Sequence, residues 1–309
     1  MLLSLTPNPA IDRTLIVPGF RAAEVTRVAE MRDVAGGKGL NVVRVARTLG
    51  VPVRACAPLG GASGRRIAAL AAAEGLDGRW SWLEDGESRT CLIVLDPAVP
   101  DTLVINERGP QITADDWERL AALVHTEATG ATAVAVSGSI PPGATVEQLI
   151  ALLRGLTGYV PVLLDTSGAP LVAALDLPLA LLKVNAHELG DALGTPIATP
   201  AEACDAAARV CARGPRAVIV TLGKEGAVAV SAGGAWWARS PDLALISPLG
   251  SGDALLAGVA AAMLEQRPLE DALVLGVACG AANTLTIGGG VVRPSDIARL
   301  QTEIRPTRM

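Results

Sequence analysis

The sequence predicts a doubly wound α/β fold, in which helices flank a mostly parallel sheet and a small β-sheet forms a lid. Apolar runs typical of strands alternate with helix-like runs along most of the chain, and half of the 309 residues are apolar. Parallel strands are buried on both faces, which makes them continuously apolar in this way. Glycine-rich or polar motifs follow several of these runs, and open α/β sheets bind ligands at the carboxyl ends of their strands.

The patterns give the following elements in chain order. In the first half we predict strands at 2–5, 14–17, 25–34, 53–59, 91–95 and 102–106, and helices at 40–49 and 65–73. In the second half we predict strands at 133–136, 160–165, 179–183, 217–221 and 227–231, and helices at 113–125, 145–153, 169–175, 201–213, 254–264 and about 269–287.

The strands at 14–17 and 25–34 lie outside the main alternation, and those at 91–95 and 102–106 resemble a hairpin. We predict that they form the lid, with 1–10, 36–86 and 110–309 as the core, and 11–35 and 87–109 as the lid. Exposed lid strands need an edge partner, so we expect a homodimer joined through the lid.

The composition limits the classes of partner and cofactor. A formal net charge of −5 argues against nucleic acid or an anionic membrane as a partner. Five cysteines without a C-x-x-C pair, and only two histidines, give no basis for a disulfide framework or a histidine-based metal cluster. The first residues lack a basic segment, and no apolar run reaches the roughly 18 residues of a membrane span. We therefore expect a cytoplasmic protein.

The stretch P-L-G-S-G-D at 248–253 precedes the most apolar predicted helix. Gly250 and Gly252 flank Ser251 and allow a tight turn that a ligand can approach closely. The free N–H groups and the positive end of the helix dipole make such a turn a phosphate site. A carboxylate at Asp253 would repel phosphate, but a kinase uses one there as the base for an attacking hydroxyl. The alternative is that Ser251 or Asp253 only caps the helix.

A second glycine-rich helix start, A-G-G-K-G at 35–39, adds the positive charge of Lys38. It could hold a second phosphate, and Asn41, one turn inside the helix, would point toward the same cavity. The alternative is an ordinary strand–turn–helix connection. Only three of the 26 basic residues are lysines, namely Lys38, Lys183 and Lys224. This scarcity suggests that lysine is kept where a compact point charge is needed.

The motifs of several common enzyme classes are absent from the sequence. It contains no G-x-x-x-x-G-K-[ST] of P-loop proteins, no G-x-G-x-x-G after the first strand and no G-x-S-x-G elbow. Two glycine-rich helix starts in one sheet, one with an aspartate and one with a lysine, fit phosphoryl transfer to an acceptor that already carries a phosphate. Catalysis of that reaction is mostly positioning and charge stabilisation.

Five segments resemble the ribokinase-like (PfkB) carbohydrate kinases, over essentially the whole chain. They are T-P-N-P-A-I-D at 6–12, G-G-K-G-L-N at 36–41, S-G-S-I-P-P-G at 137–143, K-V-N-A-H-E-L at 183–189 and G-S-G-D at 250–253. The first three are most similar to the hexose-phosphate branch, which contains 1-phosphofructokinase and tagatose-6-phosphate kinase. The resemblance implies ATP and Mg²⁺ as cofactors and a ketohexose monophosphate as acceptor, with fructose 1-phosphate as the first candidate. A monovalent cation near the last helices is a further possibility in this family.

The resemblance also implies roles for single residues. Asp253 matches the catalytic base, and Gly250, Ser251 and Gly252 match the anion hole over the transferred phosphate. The positions that match substrate contacts are Asp12, Gly37 and Asn41 for sugar hydroxyls, Lys38 and Arg89 as a clamp on the existing phosphate, and Ser139 close to that phosphate. The positions that match nucleotide contacts are Lys183, Asn185 and Glu188 around the phosphates, Thr221, Gly223 and Gly226 beside the nucleotide, and Asn283 near adenine. Glu188 is expected to contact magnesium through water.

The sequence departs from the family pattern at two places. Pro248-Leu249 stands where many relatives have threonine before the G-x-G-D segment, and Val184 stands where proline is usual. Neither change removes a reactive group, but both leave the choice between fructose 1-phosphate and tagatose 6-phosphate open. Fructose 6-phosphate is a further alternative acceptor within the family. A sugar-phosphate sensor without activity and a kinase for a neutral sugar are the alternatives from other classes.

Overall fold

The computed structural model describes residues 1–21, 24–97 and 102–309. Its strands are β1 (Leu2–Leu5), β2 (Ala10–Ile16), β3 (Glu30–Gly36), β4 (Val53–Leu59), β5 (Gly78–Trp82), β6 (Arg89–Leu95), β7 (Thr102–Asn106), β8 (Ala133–Ser137), β9 (Val162–Asp165), β10 (Leu181–Asn185), β11 (Ala217–Thr221), β12 (Ala227–Ser231), β13 (Gly234–Ala238) and β14 (Pro306–Arg308). Its helices are α1 (Lys38–Thr48), α2 (Gly61–Ala73), α3 (Ala114–Ala128), α4 (Val146–Thr157), α5 (Ala169–Ala174), α6 (Ala186–Leu193), α7 (Pro200–Cys211), α8 (Ser251–Leu264), α9 (Leu269–Asn283) and α10 (Pro294–Glu303).

The large sheet has the strand order β14-β13-β12-β11-β10-β9-β8-β1-β4-β5. All neighbouring pairs from β5 to β11 are parallel, whereas β12, β13 and β14 add antiparallel pairs at one edge. In the centre, Leu2 of β1 pairs with Val53 of β4 and Ala133 of β8. The parallel arrangement brings the carboxyl ends of β1, β8, β9 and β10 to the same edge of the sheet.

Successive side chains of the central strands point to opposite faces, and both faces are covered by helices. Leu3 belongs to the apolar cluster that includes residues of α3, α4, α5, α6 and α7, while Leu2 belongs to the cluster of α1, α8, α9 and α10. Helices α8 and α9 are buried on nearly all sides and pack closely, since a Cβ on Gly258 would lie 3.0 Å from the Cα of Gly276. Small side chains therefore let this helix pair pack under the sheet.

A separate four-stranded sheet has the order β3-β2-β6-β7. Strand β2 runs antiparallel to β3 and parallel to β6, and β6 runs antiparallel to β7. Ala10 pairs with both Gly36 and Arg89, so three strands of this small sheet meet at the point where it joins the large sheet. The face of the small sheet that points away from the large sheet exposes large apolar side chains, among them Met31, Leu103 and Ile105.

The predicted fold class is confirmed, but several elements differ from the predicted ones. The predictions missed β5, β13, β14, α6 and α10, and they extended the last predicted helix past Asn283, where α9 ends. The strand predicted at 25–34 begins only at Glu30, and the turn predicted between β6 and β7 lies partly outside the described residues. No helix in the described ranges has the length and apolar character of a membrane span.

Candidate active site

A cavity of about 640 Å³ lies between the carboxyl-terminal edge of the large sheet and the small sheet. The starts of α1 and α8 form one wall, with Gly37, Lys38 and the 250–253 segment. Side chains of the small sheet, including Cys91, Ile93 and Val104, form the facing wall. The site therefore lies where a doubly wound sheet is expected to bind its ligand.

Helix α8 begins without a side-chain cap. The amide of Ser251 donates to the carbonyl of Pro248 at 3.2 Å, and the next two residues of the first turn, Gly252 and Asp253, line the cavity. The N-cap of α8, Gly250, has a φ of 82° and no side chain to offer, whereas α3, α4, α6 and α7 all begin with a complete capping box. A Cβ on Gly250 would also lie 2.6 Å from the Cα of Gly289, so glycine is needed for both the turn and the packing. The start of α8 thus has the features of an anion site.

Asp253 lies in the first turn of α8 and is only 6% exposed. Its Oδ2 accepts a hydrogen bond of 2.8 Å from Nδ2 of Asn41. Burial raises the pKa of Asp253 to about 6, and the nearby Asp165 adds to this, while Lys38, Lys183 and the Asn41 hydrogen bond lower it. The carboxylate is therefore ionised at neutral pH and basic enough to take a proton from a hydroxyl.

Two lysines beside Asp253 share one fully buried carboxylate. Nζ of Lys38 donates to Oδ1 of Asp165 at 2.9 Å, and Nζ of Lys183 donates to Oδ2 at 2.9 Å. Burial by itself would raise the pKa of Asp165, but the charges of Lys183 and Lys38 outweigh it and hold that pKa below its usual value. Lys38 also lies 4.0 Å from Glu188, so its charge is held among carboxylates near the start of α8.

Asp12 forms the opposite part of the cavity, on β2 of the small sheet. It is 8% exposed, and burial raises its pKa to about 6 despite a hydrogen bond from the Gly37 amide and the charges of Arg44 and Arg89. A Cβ on Gly36 would overlap the Asp12 carboxyl group, which explains the glycine at that position. A carboxylate with free lone pairs in a cavity is a suitable acceptor for sugar hydroxyls.

Arg89 begins β6 and joins the small sheet to the core. Its Nη1 donates to the carbonyl of Glu107 and its Nη2 to the carbonyl of Asn8, both at 3.0 Å. Its buried Nε has no hydrogen-bond partner among the described residues. Each terminal nitrogen of Arg89 carries a second N–H group, and Arg89 lines the cavity, so the guanidinium has donor capacity for an anion there.

A second cavity of about 490 Å³ adjoins the first on the far side of the α8 start. Thr221, Pro248, Ser251 and Gly252 line both cavities. Its other walls are largely apolar and come from the 243–245 segment and from α8 and α9, with Leu243, Leu245, Leu255, Val277 and Ala281 among the lining residues. The two cavities thus form a groove in which a polar end and an apolar end meet at the glycine-rich turn.

Residues 6–296 match the family model described as pfkB family carbohydrate kinase. The chain belongs to this family. It is 35% identical over 268 residues to the 1-phosphofructokinase of Xanthomonas campestris pv. campestris, which covers 85% of this chain and 84% of that protein.

Solved structures of the family have the same fold as this pfkB family member. Phosphofructokinase-2 from Escherichia coli, solved in complex with substrates and products, superposes with a TM-score of 0.92 at 28% identity over 98% of each chain. The same enzyme has been solved in complex with potassium and in a tetrameric inhibited form. Ribokinase from Arabidopsis thaliana superposes with a TM-score of 0.74 at 20% identity over 97% of this chain and 98% of that one, which makes the fold ribokinase-like.

The structure brings most of the predicted site residues to one groove. The first cavity is lined by Asp12, Gly37, Lys38, Asn41, Arg89, Ser139, Lys183, Asn185, Glu188, Thr221, Gly250, Ser251, Gly252 and Asp253. Gly223 and Gly226 line the second cavity. Two of these residues, Asn185 and Glu188, also stabilise α6, because they form the capping box at its start.

Asn283 is the predicted site residue that lies outside both cavities. It is fully buried, its Nδ2 donates to the carbonyl of Leu249 at 2.7 Å, and its Oδ1 accepts from the amide of Gly290 at 2.8 Å. Its helix neighbours Gly280, Ala281 and Thr284 line the second cavity, so the position predicted near adenine remains a prediction. The side-chain amide itself is occupied in holding the loops that flank the start of α8.

The prediction from sequence missed Asp165, which organises both lysines. The available signal was its position as the last residue of an apolar strand, since carboxyl ends of parallel strands meet at the binding edge. It also missed Arg44, whose contacts are described below, and the contributions of the small sheet such as Cys91 and Val104. In the described ranges, no group of three or more histidine, cysteine or acidic side chains is arranged to hold a metal ion.

Proposed function

We propose that this protein transfers the γ-phosphoryl group of ATP to a ketohexose monophosphate, with fructose 1-phosphate as the preferred acceptor and fructose 1,6-bisphosphate as product. The observation that carries the proposal is the position of Asp253, a base with a pKa of about 6, at the uncapped start of α8. The choice of acceptor is supported by the relative named 1-phosphofructokinase, to which the chain is 35% identical.

In this proposal Asp253 accepts the proton of the attacking hydroxyl, while the first amides of α8 stabilise the transferred group. Bound ATP supplies that group, and Mg²⁺ neutralises the charge on its phosphates. Asp12 and Asn41 orient the acceptor by hydrogen bonds to its hydroxyls. Positioning of the base and the hydroxyl and stabilisation of the charge on the transferred group together supply the rate enhancement expected of such an enzyme.

Lys38 and Arg89 were both predicted to bind the phosphate of the acceptor. We now assign them to opposite ends of the cavity. Lys38 lies beside Asp165 and within 4.0 Å of Glu188, which favours a role near the transferred phosphate. Arg89 lies at the small sheet near Asp12, and its position in the lining of the cavity favours a role in binding the phosphate that the acceptor already carries. Ser139 lines the same cavity and is proposed to contribute to that phosphate site.

The adjoining apolar cavity supports binding of the purine base, with Thr221, Gly223 and Gly226 beside the nucleotide. Within the described ranges, the residues that could hold Mg²⁺ supply one carboxylate, that of Glu188 in the first turn of α6, 4.0 Å from Lys38. Magnesium keeps several waters and is held by one or two carboxylates plus substrate phosphates, so contact with Glu188 through water satisfies this chemistry. We also propose a monovalent cation near the last helices, which the potassium complex of the E. coli relative supports.

The small sheet is proposed to act as a lid, formed by 11–35 and 87–109 over a core of 1–10, 36–86 and 110–309. Its outer face exposes 56% of Met31, 46% of Leu103 and 50% of Ile105, and its edge strands β3 and β7 have no further strand partner within the described ranges. A second copy of the chain would cover this apolar face. Light scattering at working concentration tests the homodimer, and a monomer would contradict it.

The function is tested by a coupled ADP-release assay with magnesium-ATP and a panel of acceptors ranked by kcat/KM. The panel contains fructose 1-phosphate, tagatose 6-phosphate, fructose 6-phosphate, fructose and ribose. We expect fructose 1-phosphate to rank first. Preference for another ketohexose phosphate would replace the acceptor but keep the mechanism, whereas turnover of neutral sugars alone would contradict the assignment of Arg89. No turnover at all would favour a sugar-phosphate sensor.

A further inference from the structure

We propose that Arg44 is a positioning residue for the catalytic base. Its guanidinium fixes the orientation of the Asn41 amide, so that this amide donates to Asp253 and cannot turn over. The proposal concerns how the carbohydrate kinase holds its base and rests on the function proposed above.

The amide of Asn41 lies between a donor group and an acceptor group. Its Nδ2 donates to Oδ2 of Asp253 at 2.8 Å, and its Oδ1 accepts from Nη1 of Arg44 at 2.9 Å. A guanidinium only donates hydrogen bonds and an ionised carboxylate only accepts them. Turning the amide by half a rotation would bring oxygen against carboxylate and NH₂ against guanidinium, so only the observed orientation satisfies both neighbours.

Arg44 is itself fixed in place on all sides. It is 9% exposed, and its Nε donates to Oε2 of Glu74 at 2.6 Å, which balances its charge. Its Nη2 donates to the carbonyl of Ala35 at 2.6 Å, and Nη1 also donates to the carbonyl of Gly289 at 2.8 Å. These contacts use the planar fork of the guanidinium, which a lysine ammonium cannot reproduce.

The position of Arg44 connects the parts of the site that must be aligned. Ala35 belongs to β3 of the small sheet, Asn41 to α1, and Gly289 packs against Gly250 at the start of α8. One guanidinium therefore bonds to the base of the lid, to the residue that holds Asp253 and to the loop behind the anion site. This convergence distinguishes it from an arginine that only stabilises the fold.

The charged groups around Asn41 and Arg44 determine the direction in which loss of their contacts shifts the pKa values of Asp253 and Asp12. Asp253 is faced by Lys38 of α1, Lys183 of β10 and Asp165 of β9, while Glu74 and Asp12 face Arg44. A hydrogen bond to the ionised form favours that form. Loss of the ordered Asn41 donor should therefore raise the pKa of Asp253, and loss of the Arg44 charge should raise the pKa of Asp12.

Arg54 provides a matched control. It is paired with carboxylates as Arg44 is with Glu74, since it donates to Asp77 at 2.8 Å and to Glu127 at 2.6 Å. Unlike Arg44, it lies near the amino end of β4, at the edge of the sheet away from the cavity. The variants Arg44→Lys, Arg44→Met and Arg54→Met should all lose stability. Only the Arg44 variants should lose kcat, by about 10- to 100-fold, as expected for a misplaced hydrogen bond to a charged group.

The acidic limb of the kcat profile between pH 5 and 8 should move to higher pH in the Arg44 variants and stay in place in Arg54→Met. Wild-type kcat in either Arg44 variant would overturn the proposal. Arg44→Lys, which keeps the charge, provides the kinetic data if Arg44→Met does not fold. A fall in kcat with an unmoved pH limb would also overturn it, since that pattern indicates general loss of structure.

A double-mutant cycle separates the action through Asn41 from action through Gly289. In an Asn41→Ala background no amide remains to be oriented, so Arg44→Lys should change kcat by less than about 2-fold. An undiminished effect in that background would contradict the proposal. Titration of the ¹³Cγ signal of Asp253, assigned with Asp253→Asn, provides a readout without turnover. If the wild type phosphorylated none of the sugars, the proposed function would fail, yet this titration would still test Arg44.

Discussion

Replacement of Asp165 by asparagine should destabilise the protein and disable its site at the same time. Asp165 is fully buried, and each of its oxygens accepts a hydrogen bond from a different lysine. Asparagine would present an NH₂ group to one ammonium and leave Lys183, which is 4% exposed, without its counter-charge. Breaking a buried ion pair in this way costs about 3–5 kcal/mol, a large part of the roughly 5–15 kcal/mol that stabilises a typical domain.

The free energy of unfolding should be measured by urea titration at pH 7, with the fitted m-value compared between variants. The control is Asp176→Asn, which removes an exposed pair with Arg213, and it should change the midpoint little. Equal midpoints for the two variants would refute the reasoning.

The pH dependence of stability follows with a defined sign. The two lysines lower the pKa of Asp165 in the folded state, so its contribution is complete above the unfolded value of about 3.9. It is lost as the pH falls through the lowered folded pKa. The stability of Asp165→Asn should therefore approach that of the wild type only in acid.

Three further predictions concern activity. Asp253→Asn should lower kcat by about 10²–10⁴-fold without loss of stability, because it removes the base and a buried charge; calorimetry should still detect acceptor binding. Wild-type kcat at saturating substrates should rise as the pH increases through about 6, the pKa of Asp253, and a limb well below pH 5 would contradict this. Lys183→Arg should be inactive, because a guanidinium fork would compete with Lys38 for the two oxygens of Asp165, of which each lysine now takes one. Arg216→Lys, at an exposed position, should keep wild-type kcat.

The parallel centre of the fold could be predicted because each strand is buried on both faces and therefore carries its own apolar signal. The antiparallel edge could not be predicted in this way. Strand β14 has three residues and pairs with β13, about 70 positions earlier, through backbone hydrogen bonds that leave no local pattern. Strand β5 carries Arg79 and Gly78, which weaken its signal. Short edge strands that pair over a long distance in sequence therefore cannot be predicted from the periodicity of apolar residues.

The same limit applies within the site. The start of α8 was predictable because a glycine turn before an apolar helix creates free amides whatever surrounds it. The contacts of the Asn283 amide could not be predicted because α9 is buried on nearly all sides, so the sequence does not indicate which neighbour a polar residue of that helix faces. Asp165 was missed because its partner Lys38 is 127 positions away in the chain.

The scarcity of lysine acquires a physical explanation in the structure. All three lysines border the groove, Lys38 and Lys183 in the first cavity and Lys224 in the second. Arginines such as Arg213 and Arg299 form ion pairs at the surface. Two ammonium groups can each take one oxygen of a single carboxylate, as they do at Asp165, whereas one arginine fork commonly occupies both oxygens, as Arg13 does at Asp33. A site that must concentrate two positive charges beside one base therefore requires lysine.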